Sequence, residues 1–249
     1  MIRISLGNVG SGKTANEVRE MFIQKHKLKT YTNITVKGRG HNIHRLTPDM
    51  IIKKEVKGQK KMSNGDKINV YDYALNIDYW KNQTEPINVV IDEIHNIVNA
   101  RTSMSKKNQI FNRYLSMIRR VLGSVDAMGG NLVLVAQMSN QVDLIARGFC
   151  HQVRFHICHY HKTCLNCGFR WGENSEIPEP MVCCPKCKKE RIKKDHHVIE
   201  IFHFSGMDRF VMWYERGLKT HYRHYYVNDI ENFFGKYNTL QWDNLFEDY

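Results

Sequence analysis

A glycine-rich segment near the start of the chain constrains the fold more than any other feature. The pattern G-x-x-x-x-G-K-[ST] is matched by Gly7, Asn8, Val9, Gly10, Ser11, Gly12, Lys13 and Thr14. An apolar strand from Ile2 to Leu6 precedes it, and a helix is predicted from Lys13 to about Lys27. Glycines allow backbone N–H groups to face phosphate oxygens, and the helix adds its positive end. The segment therefore predicts a phosphate-binding loop that starts an α/β fold.

The loop predicts ATP as the ligand, bound by all eight residues from Gly7 to Thr14. The Lys13 ammonium is expected to reach the β- and γ-phosphates, which makes Lys13 a catalytic candidate as well as a binding residue. The Thr14 hydroxyl is expected to bind Mg²⁺.

Two acidic residues follow a strand predicted to be buried in a parallel sheet, from Ile87 to Ile91. The carboxyl ends of parallel strands share one edge of the sheet, so Asp92 and Glu93 are expected beside the phosphate loop. Asp92 is the candidate Mg²⁺ ligand, acting through water. Glu93 is the candidate that orients or deprotonates the attacking water.

The next buried strand, predicted from Asn131 to Ala136, ends at Gln137. Its amide could contact the γ-phosphate, or it could be an ordinary residue bonded to backbone. Charge on the leaving phosphate also calls for an arginine, which is worth about 10³–10⁵ in rate where measured. The candidates are Arg119, Arg120 and Arg147, although each taken alone also fits a surface or DNA-facing role.

Four of the seven cysteines form two C-x-x-C pairs separated by sixteen residues. This spacing is typical of a tetrahedral Zn²⁺ site, and a redox dithiol pair is the alternative. The predicted ligands are Cys164, Cys167, Cys184 and Cys187. Cys183 competes with Cys184, but only Cys184 keeps the x-x spacing. The pairs interrupt two alternating strands, Val153 to Tyr160 and Val198 to Phe204, so we expect a zinc ribbon at the tip of a hairpin.

The other periodic segments predict helices and strands that alternate along the chain. They are a strand at Lys29 to Thr35, a short helix after Thr47-Pro48-Asp49, a hairpin or loop at Lys57 to Asp66, a strand at Ile68 to Tyr73 and a helix at Lys106 to Leu122. This order predicts a RecA-like P-loop NTPase core with a mostly parallel sheet between helices. The expected divisions are 1–162 and 195–249 for the core and 163–194 for the ribbon.

Composition bears on partners and location. The 249 residues include 37 Lys and Arg against 25 Asp and Glu, a net charge of +12 that favours nucleic acid over a merely basic surface. The ribbon is itself rich in basic residues, which suit a finger that grips DNA or a partner, although an inert brace is the alternative. No run approaches the roughly 20 apolar residues of a membrane span, so we expect a soluble, cytoplasmic protein.

Several short segments resemble the zonula-occludens-toxin-like ATPases of viruses and their FtsK/HerA relatives. They are Gly7 to Thr14, Tyr31 to Ile34, Ile91 to His95, Leu134 to Gln137, Gln141 to Asp143 with Arg147, and Phe234 to Thr239. The resemblance implies a homo-oligomeric ring, commonly a hexamer, that moves double-stranded DNA or drives virion assembly with a capsid or assembly protein. The chain departs from the filamentous-phage members by lacking a membrane-spanning segment and by carrying the cysteine-rich insertion.

Two functions are therefore expected to compete. The first is an ATP-hydrolysing motor that packages or translocates DNA or drives virion assembly. The second is a nucleotide-switched zinc-ribbon adaptor that binds DNA or an assembly partner without translocation. A helicase ranks below both, because 249 residues show no second RecA-like domain.

Overall fold

The computed structural model describes residues 1–25, 27–38, 40, 42–62, 65–80, 85–94, 106–117, 130–142, 144–172, 183–190 and 192–238. Arg119 and Arg120 lie outside these residues, as do His95, Asp143 and Thr239 from the segments that carried the resemblance.

Within these residues, a nine-stranded sheet forms the centre of the fold. Six of its strands run parallel: β1 (Ile2–Leu6), β2 (Lys29–Thr32), β3 (Ile43–Arg45), β6 (Ile87–Ile91), β7 (Asn131–Val135) and β8 (Gln152–Cys164). Three run antiparallel: β9 (Arg170–Gly172), β10 (Ile192–Phe204) and β11 (Arg223–Val227). The order is β11-β10-β8-β1-β7-β6-β2-β3, with β9 beside β8. The predicted α/β fold with a mostly parallel sheet is confirmed.

Helices connect the strands and cover the sheet. They are α1 (Lys13–Gln24), α2 (Pro48–Ile51), α3 (Ile77–Trp80), α4 (Lys106–Ser116), α5 (Leu144–Gly148), α6 (Met207–Arg216) and α7 (Glu231–Phe234). Val18 and Met21 of α1 pack with Val90 and Val133, as the spacing of apolar residues in this helix predicts.

The opposite face of the sheet carries the larger core, in which Leu132 and Leu134 pack with Phe111 and Tyr114 of α4. Neighbouring residues of β7 therefore serve different faces, because successive side chains of a strand point to opposite sides. Apolar cores on both faces explain why β1, β6 and β7 are buried along their whole lengths apart from the half-buried Asn131.

Two hairpins extend beyond this layered core. The first pairs β8 with β10 from Val153↔Phe204 to Cys164↔Ile192, so the alternating strands run several residues further than predicted. The second is a separate two-stranded sheet made of β4 (Ile52–Lys61) and β5 (Lys67–Leu75). A hairpin or loop was predicted at Lys57 to Asp66, and the structure has a hairpin whose strands extend beyond that segment.

Candidate functional site

The loop between β1 and α1 turns tightly, and glycine is required where it does. Gly12 precedes α1 with a left-handed φ of 81°, and a Cβ at this position would overlap Ile199. Gly7 has a φ of 151°, and a Cβ there would overlap the backbone oxygen of His156. Side chains at these two positions would therefore displace the loop from β8 and β10.

Lys13 lies at the centre of the loop. Its Nζ donates to the backbone oxygens of Gly7 at 2.7 Å and Asn8 at 2.9 Å, and the residue is buried. Burial lowers the pKa of Lys13, while the nearby carboxylates of Asp92 and Glu93 raise it. The loop is thus wrapped around a cation, which is the geometry that suits a phosphate chain.

Thr14 and Asp92 join the first turn of α1 to the end of β6. The Thr14 hydroxyl donates to Asp92 Oδ2 at 2.9 Å. Hydroxyl and carboxylate oxygens are the ligand types that Mg²⁺ takes in nucleotide sites, so the pair fits the predicted metal. Burial raises the pKa of Asp92 to about 6, although its bond from Thr14 opposes this effect.

Asn33 holds the Asp92 backbone in place. Its side-chain Oδ1 accepts from the Asp92 backbone N–H at 2.8 Å, and its Nδ2 donates to the Asp92 backbone carbonyl oxygen at 3.0 Å. Asn33 lies in the Tyr31 to Ile34 segment that contributed to the resemblance, yet the sequence assigned it no role. It follows β2, and β2 and β6 end at the same edge, which explains the contact.

Glu93 adopts an unusual backbone conformation, with a φ of 52°. Its N–H donates to Asp92 Oδ1 at 3.0 Å, so the two acidic residues form one tight turn. Left-handed geometry in a non-glycine residue costs of order 1–3 kcal/mol and concentrates at functional sites. The half-buried Glu93 is therefore held close to Asp92 and to the charge of Lys13.

Gln137 adjoins the phosphate loop through its backbone. Its carbonyl oxygen accepts from the Gly7 N–H at 3.3 Å, and the residue is half-buried. Gln137 therefore lies beside the loop, and the contact of its side chain with the γ-phosphate stays a prediction.

Arg147 lies at the other edge of the sheet. It belongs to α5, and shortly after it the His151 N–H donates to the Ile2 oxygen at 3.0 Å, at the start of β1. The phosphate loop follows the opposite end of β1, so Arg147 is separated from the loop of its own chain by the length of that strand. Its guanidinium is not part of the cluster formed by Lys13, Thr14, Asp92 and Glu93.

A buried ionic cluster links β1 to α1 beneath the loop, and no motif in the sequence indicated it. Arg3 donates to Glu17 at 2.7 Å, and Ser5 donates to Glu17 at 2.6 Å. Burial would raise the pKa of Glu17, but Arg3, Arg154 and the Ser5 bond lower it overall. Arg3 and Ser5 alternate with the apolar residues of β1, and both are buried beneath α1.

His156 is a second residue whose position the sequence did not indicate. It bonds to the Leu6 oxygen through Nδ1 at 3.1 Å and contacts Asn16 through Nε2 at 3.2 Å. Burial lowers the pKa of His156 to about 4, so the ring is neutral at pH 7. A neutral ring can donate to Leu6 and accept from Asn16, which ties β8 to both ends of the phosphate loop.

The four predicted zinc ligands converge at the tip of the β8–β10 hairpin. The sulfur atoms of Cys164, Cys167, Cys184 and Cys187 all lie within 4.8 Å of one another. Two of the separations, Cys164 to Cys187 and Cys167 to Cys184, are 3.6 Å. Zn–S bonds of about 2.3 Å in a tetrahedron require sulfur atoms a little under 4 Å apart. The thiols therefore fit one Zn²⁺, and the group includes Cys184 rather than Cys183.

Each cysteine pair forms the same kind of turn. Gly168 follows the first pair with a φ of 70°, and Lys188 follows the second with a φ of 59°. The Gly168 N–H donates to the Cys164 oxygen at 2.9 Å, and the Lys188 N–H donates to the Cys184 oxygen at 2.8 Å. Only a small core of Trp171 and Phe169 packs with the cysteines among the described residues, so the metal would supply much of the stability.

A match to a protein-family model shows which family the chain belongs to. The model described as zonular occludens toxin (Zot) matches residues 1–166, which is most of the chain and includes the whole phosphate site. The chain belongs to the Zot family. The predicted resemblance to zonula-occludens-toxin-like proteins is thereby confirmed.

The solved structures that match this Zot-family chain share little sequence identity with it and have low TM-scores. The N-terminal domain of zonular occludens toxin from Neisseria meningitidis is 14% identical with a TM-score of 0.47, over 95% of this chain and 98% of that one. The genome packaging NTPase B204 from Sulfolobus turreted icosahedral virus 2, in complex with ATP-gammaS, is 14% identical with a TM-score of 0.35, over 62% and 74%. B204 described as the DNA-packaging ATPase of Sulfolobus turreted icosahedral virus is 17% identical with a TM-score of 0.37, over the same shares. No curated protein sequence matches the chain significantly.

Among the helices of the described ranges, none combines the length and the apolar composition that crossing a membrane requires.

Proposed function

We propose that the chain is an ATP-hydrolysing motor that translocates or packages DNA or drives virion assembly. The observation that carries the proposal is the contact between Thr14 and Asp92 at 2.9 Å, beside the Lys13 ammonium inside the glycine loop. This contact brings together the two motifs that handle phosphate and Mg²⁺, although about eighty residues separate them in the chain.

The site residues divide the chemistry of hydrolysis among them. Loop N–H groups and Lys13 bind the β- and γ-phosphates, and Thr14 and Asp92 hold Mg²⁺, which supplies charge neutralisation when bound. Glu93 orients or deprotonates the attacking water from its fixed turn beside Asp92. Gln137, which follows the neighbouring strand and adjoins Gly7 through its backbone, contacts the γ-phosphate in this proposal.

The partner that the composition supports is DNA. The net charge of +12 favours a polyanion, and Lys186, Lys188 and Lys189 are exposed around the cysteine cluster. Membership of the Zot family and an arginine distant from its own site both favour a ring in which neighbours share sites. The zinc ribbon then grips DNA or an assembly protein.

Phosphate release in the presence and absence of duplex DNA tests the proposal. We expect wild-type protein to hydrolyse ATP faster with DNA, and Lys13→Ala and Glu93→Gln to lose about 10²- to 10⁴-fold in turnover. Glu93→Gln retains nucleotide binding, because its side chain acts on water rather than on phosphate. Lys27→Ala is the matched control, since Lys27 is exposed beyond the end of α1.

Normal turnover in Lys13→Ala would show that the loop is not the hydrolytic site. The adaptor function predicts a different result from the motor. A nucleotide-switched adaptor binds ATP and DNA, but its slow turnover does not rise when DNA is added. DNA-stimulated turnover therefore decides between the two.

A further inference from the structure

The β4–β5 hairpin forms an exposed arm at the edge of the ATPase core. Every residue of β4 after Ile52 is exposed, and in β5 only the last four residues are half-buried, with Tyr73 and Leu75 packed against the main core. Its base is anchored, because Ile52 is buried in the main core and the Asn76 N–H donates to the Ile51 oxygen at 2.9 Å. A two-stranded hairpin is marginally stable alone, and the outer part of this one leaves both of its faces accessible to a partner.

The register of the arm assigns its side chains to two faces. Residues opposite each other in an antiparallel pair share a face, and successive residues alternate. The first face carries the pairs Lys54↔Tyr73, Val56↔Tyr71, Gln59↔Asn69 and Lys61↔Lys67. The second face carries Lys53↔Ala74, Glu55↔Asp72, Gly58↔Val70 and Lys60↔Ile68. The register shift between Val56 and Gly58 keeps the two sets apart.

Charge is distributed unequally between the two faces. Both carboxylates of the strands, Glu55 and Asp72, belong to the second face. They are paired there, because Lys53 Nζ lies 3.2 Å from Glu55 Oε1 and Lys57 Nζ lies 3.7 Å from Asp72 Oδ2. The first face carries Lys54, Lys61 and Lys67 without any acidic residue of either strand.

Polar and aromatic groups fill the rest of the first face. The Lys54 ammonium lies 4.3 Å from the centre of the Tyr71 ring, which is exposed. The Gln59 amide donates to Asn69 at 3.1 Å. Ammonium, phenol and amide groups are those with which proteins bind phosphates and sugars of a duplex.

We infer that the first face of the arm binds the phosphate backbone of double-stranded DNA. The inference deepens the proposed motor function and depends on it for the nature of the partner. A strand of 10 residues is about 33 Å long, which is close to the roughly 34 Å of one turn of B-DNA. The major groove admits a two-stranded ribbon of this kind.

The position of the arm places such DNA at the catalytic edge of the sheet. β3 lies parallel to β2, and the chain reaches α2 and the arm from the carboxyl end of β3. That end belongs to the same edge as Asn33 and Asp92. At the base of the arm, the Trp80 ring packs edge-on against the Tyr31 ring, with 5.4 Å between the ring centres. Tyr31 precedes Asn33 by two residues, so the base of the arm lies close to the site.

Two triple variants with the same loss of charge test the inference. Lys54→Ala/Lys61→Ala/Lys67→Ala removes the lysines of the first face, and Lys53→Ala/Lys57→Ala/Lys60→Ala removes three from the second. Binding of a fluorescent duplex of about 30 base pairs is measured by anisotropy across about 50 to 200 mM salt. We expect the first variant to lose about 10- to 100-fold in affinity for the duplex. The slope of its log binding constant against log salt concentration should decrease in magnitude by about three. We expect the second to lose about threefold or less.

Controls separate this inference from the proposed function. DNA-free ATP turnover and thermal unfolding stay near wild type in both variants, because these lysines are exposed and remote from Lys13. Equal losses in the two variants would overturn the face-specific inference and leave the motor intact. Wild-type protein that hydrolyses ATP but does not bind the duplex would overturn the arm and the DNA partner together.

Discussion

Asp92 is held in an environment that disfavours its own charge. Burial raises the pKa of its carboxyl from 3.8 to about 6 in the protein without metal. The folded state therefore binds a proton more tightly than the unfolded state, and stability falls as pH rises from about 4 to 6. Above pH 6 the ionised carboxylate remains a constant cost, which Mg²⁺ would offset in the working site.

Replacing Asp92 with Asn should therefore stabilise the metal-free protein. We expect Asp92→Asn to gain about 1–2 kcal/mol in urea unfolding at pH 7.5, after discounting the shift for solvent screening. The gain should disappear as pH falls below the wild-type pKa, while turnover is lost at every pH. The exposed Asp78→Asn serves as the control and should leave the free energy of unfolding at pH 7.5 near that of wild-type protein. A destabilised Asp92→Asn at pH 7.5 would contradict this account of the carboxyl.

The Arg3–Glu17 pair beneath the loop makes a second prediction about single residues. Both side chains are buried and 2.7 Å apart, so removing one leaves the other charge without its partner. We expect Glu17→Leu to cost about 3–5 kcal/mol in urea unfolding. The double variant Arg3→Met/Glu17→Leu should recover much of that loss, because no unpaired Arg3 remains. Additive losses in the double-mutant cycle would show that the pair is not energetically coupled.

The candidate site residues whose positions could be predicted from sequence are those specified by a local pattern. Lys13 and Thr14 are specified by spacing within one loop, and Asp92 by the end of one apolar strand. His156 and Asn16 are 140 residues apart, and nothing near either one indicates the other. Their contact depends on β8 lying beside β1, which is a property of the assembled sheet.

The zinc ribbon is the element whose stability should depend most on a ligand. We expect one Zn²⁺ per chain, and Cys164→Ser to lose it, because the remaining three thiols leave the tetrahedron incomplete. Loss of zinc should unfold the ribbon locally and expose Trp171, which is 4% exposed in the structure. Metal analysis and the tryptophan emission spectrum measure the two effects.

Cys183→Ser is the matched control for the ribbon, since it changes the same atom one position from Cys184. It should keep the metal and the emission spectrum of wild-type protein. If Cys183→Ser loses zinc while Cys184→Ser retains it, the ligand set is wrong although the ribbon stands.

The elements differ in how well sequence predicts them. The continuous apolar runs of β6 and β7 mark buried strands by themselves. The β8–β10 hairpin is longer than its alternating segments because pairing with a partner strand extends β8 into polar residues such as Thr163. The helix α6 was not predicted, although Gly206 directly precedes it and Gly217 directly follows it.

The molecule as a whole places its appendages at one edge of the sheet. β8 runs parallel to β1 and continues from His156 to Cys164 beyond the register of Leu6, so the ribbon projects from the carboxyl edge. The β4–β5 arm leaves the same edge from the other side of the sheet. DNA bound by either one would therefore lie over the edge that carries Asp92, which is the edge where the proposed function places ATP.

Arg147 lies at the opposite edge, which suits a residue that completes a neighbour's site in a ring. In a head-to-tail ring one edge of each subunit meets the other edge of the next, so a site can combine Lys13 of one chain with Arg147 of another. Lys13→Ala and Arg147→Ala should each be inactive when assembled alone. Rings mixed from equal amounts of both should recover about one quarter of the wild-type turnover, because about that share of interfaces is intact. Mixing Lys13→Ala with Glu93→Gln is the control and should recover nothing, since both residues belong to the same side of the interface. Full activity of Arg147→Ala alone would exclude Arg147 as the shared arginine.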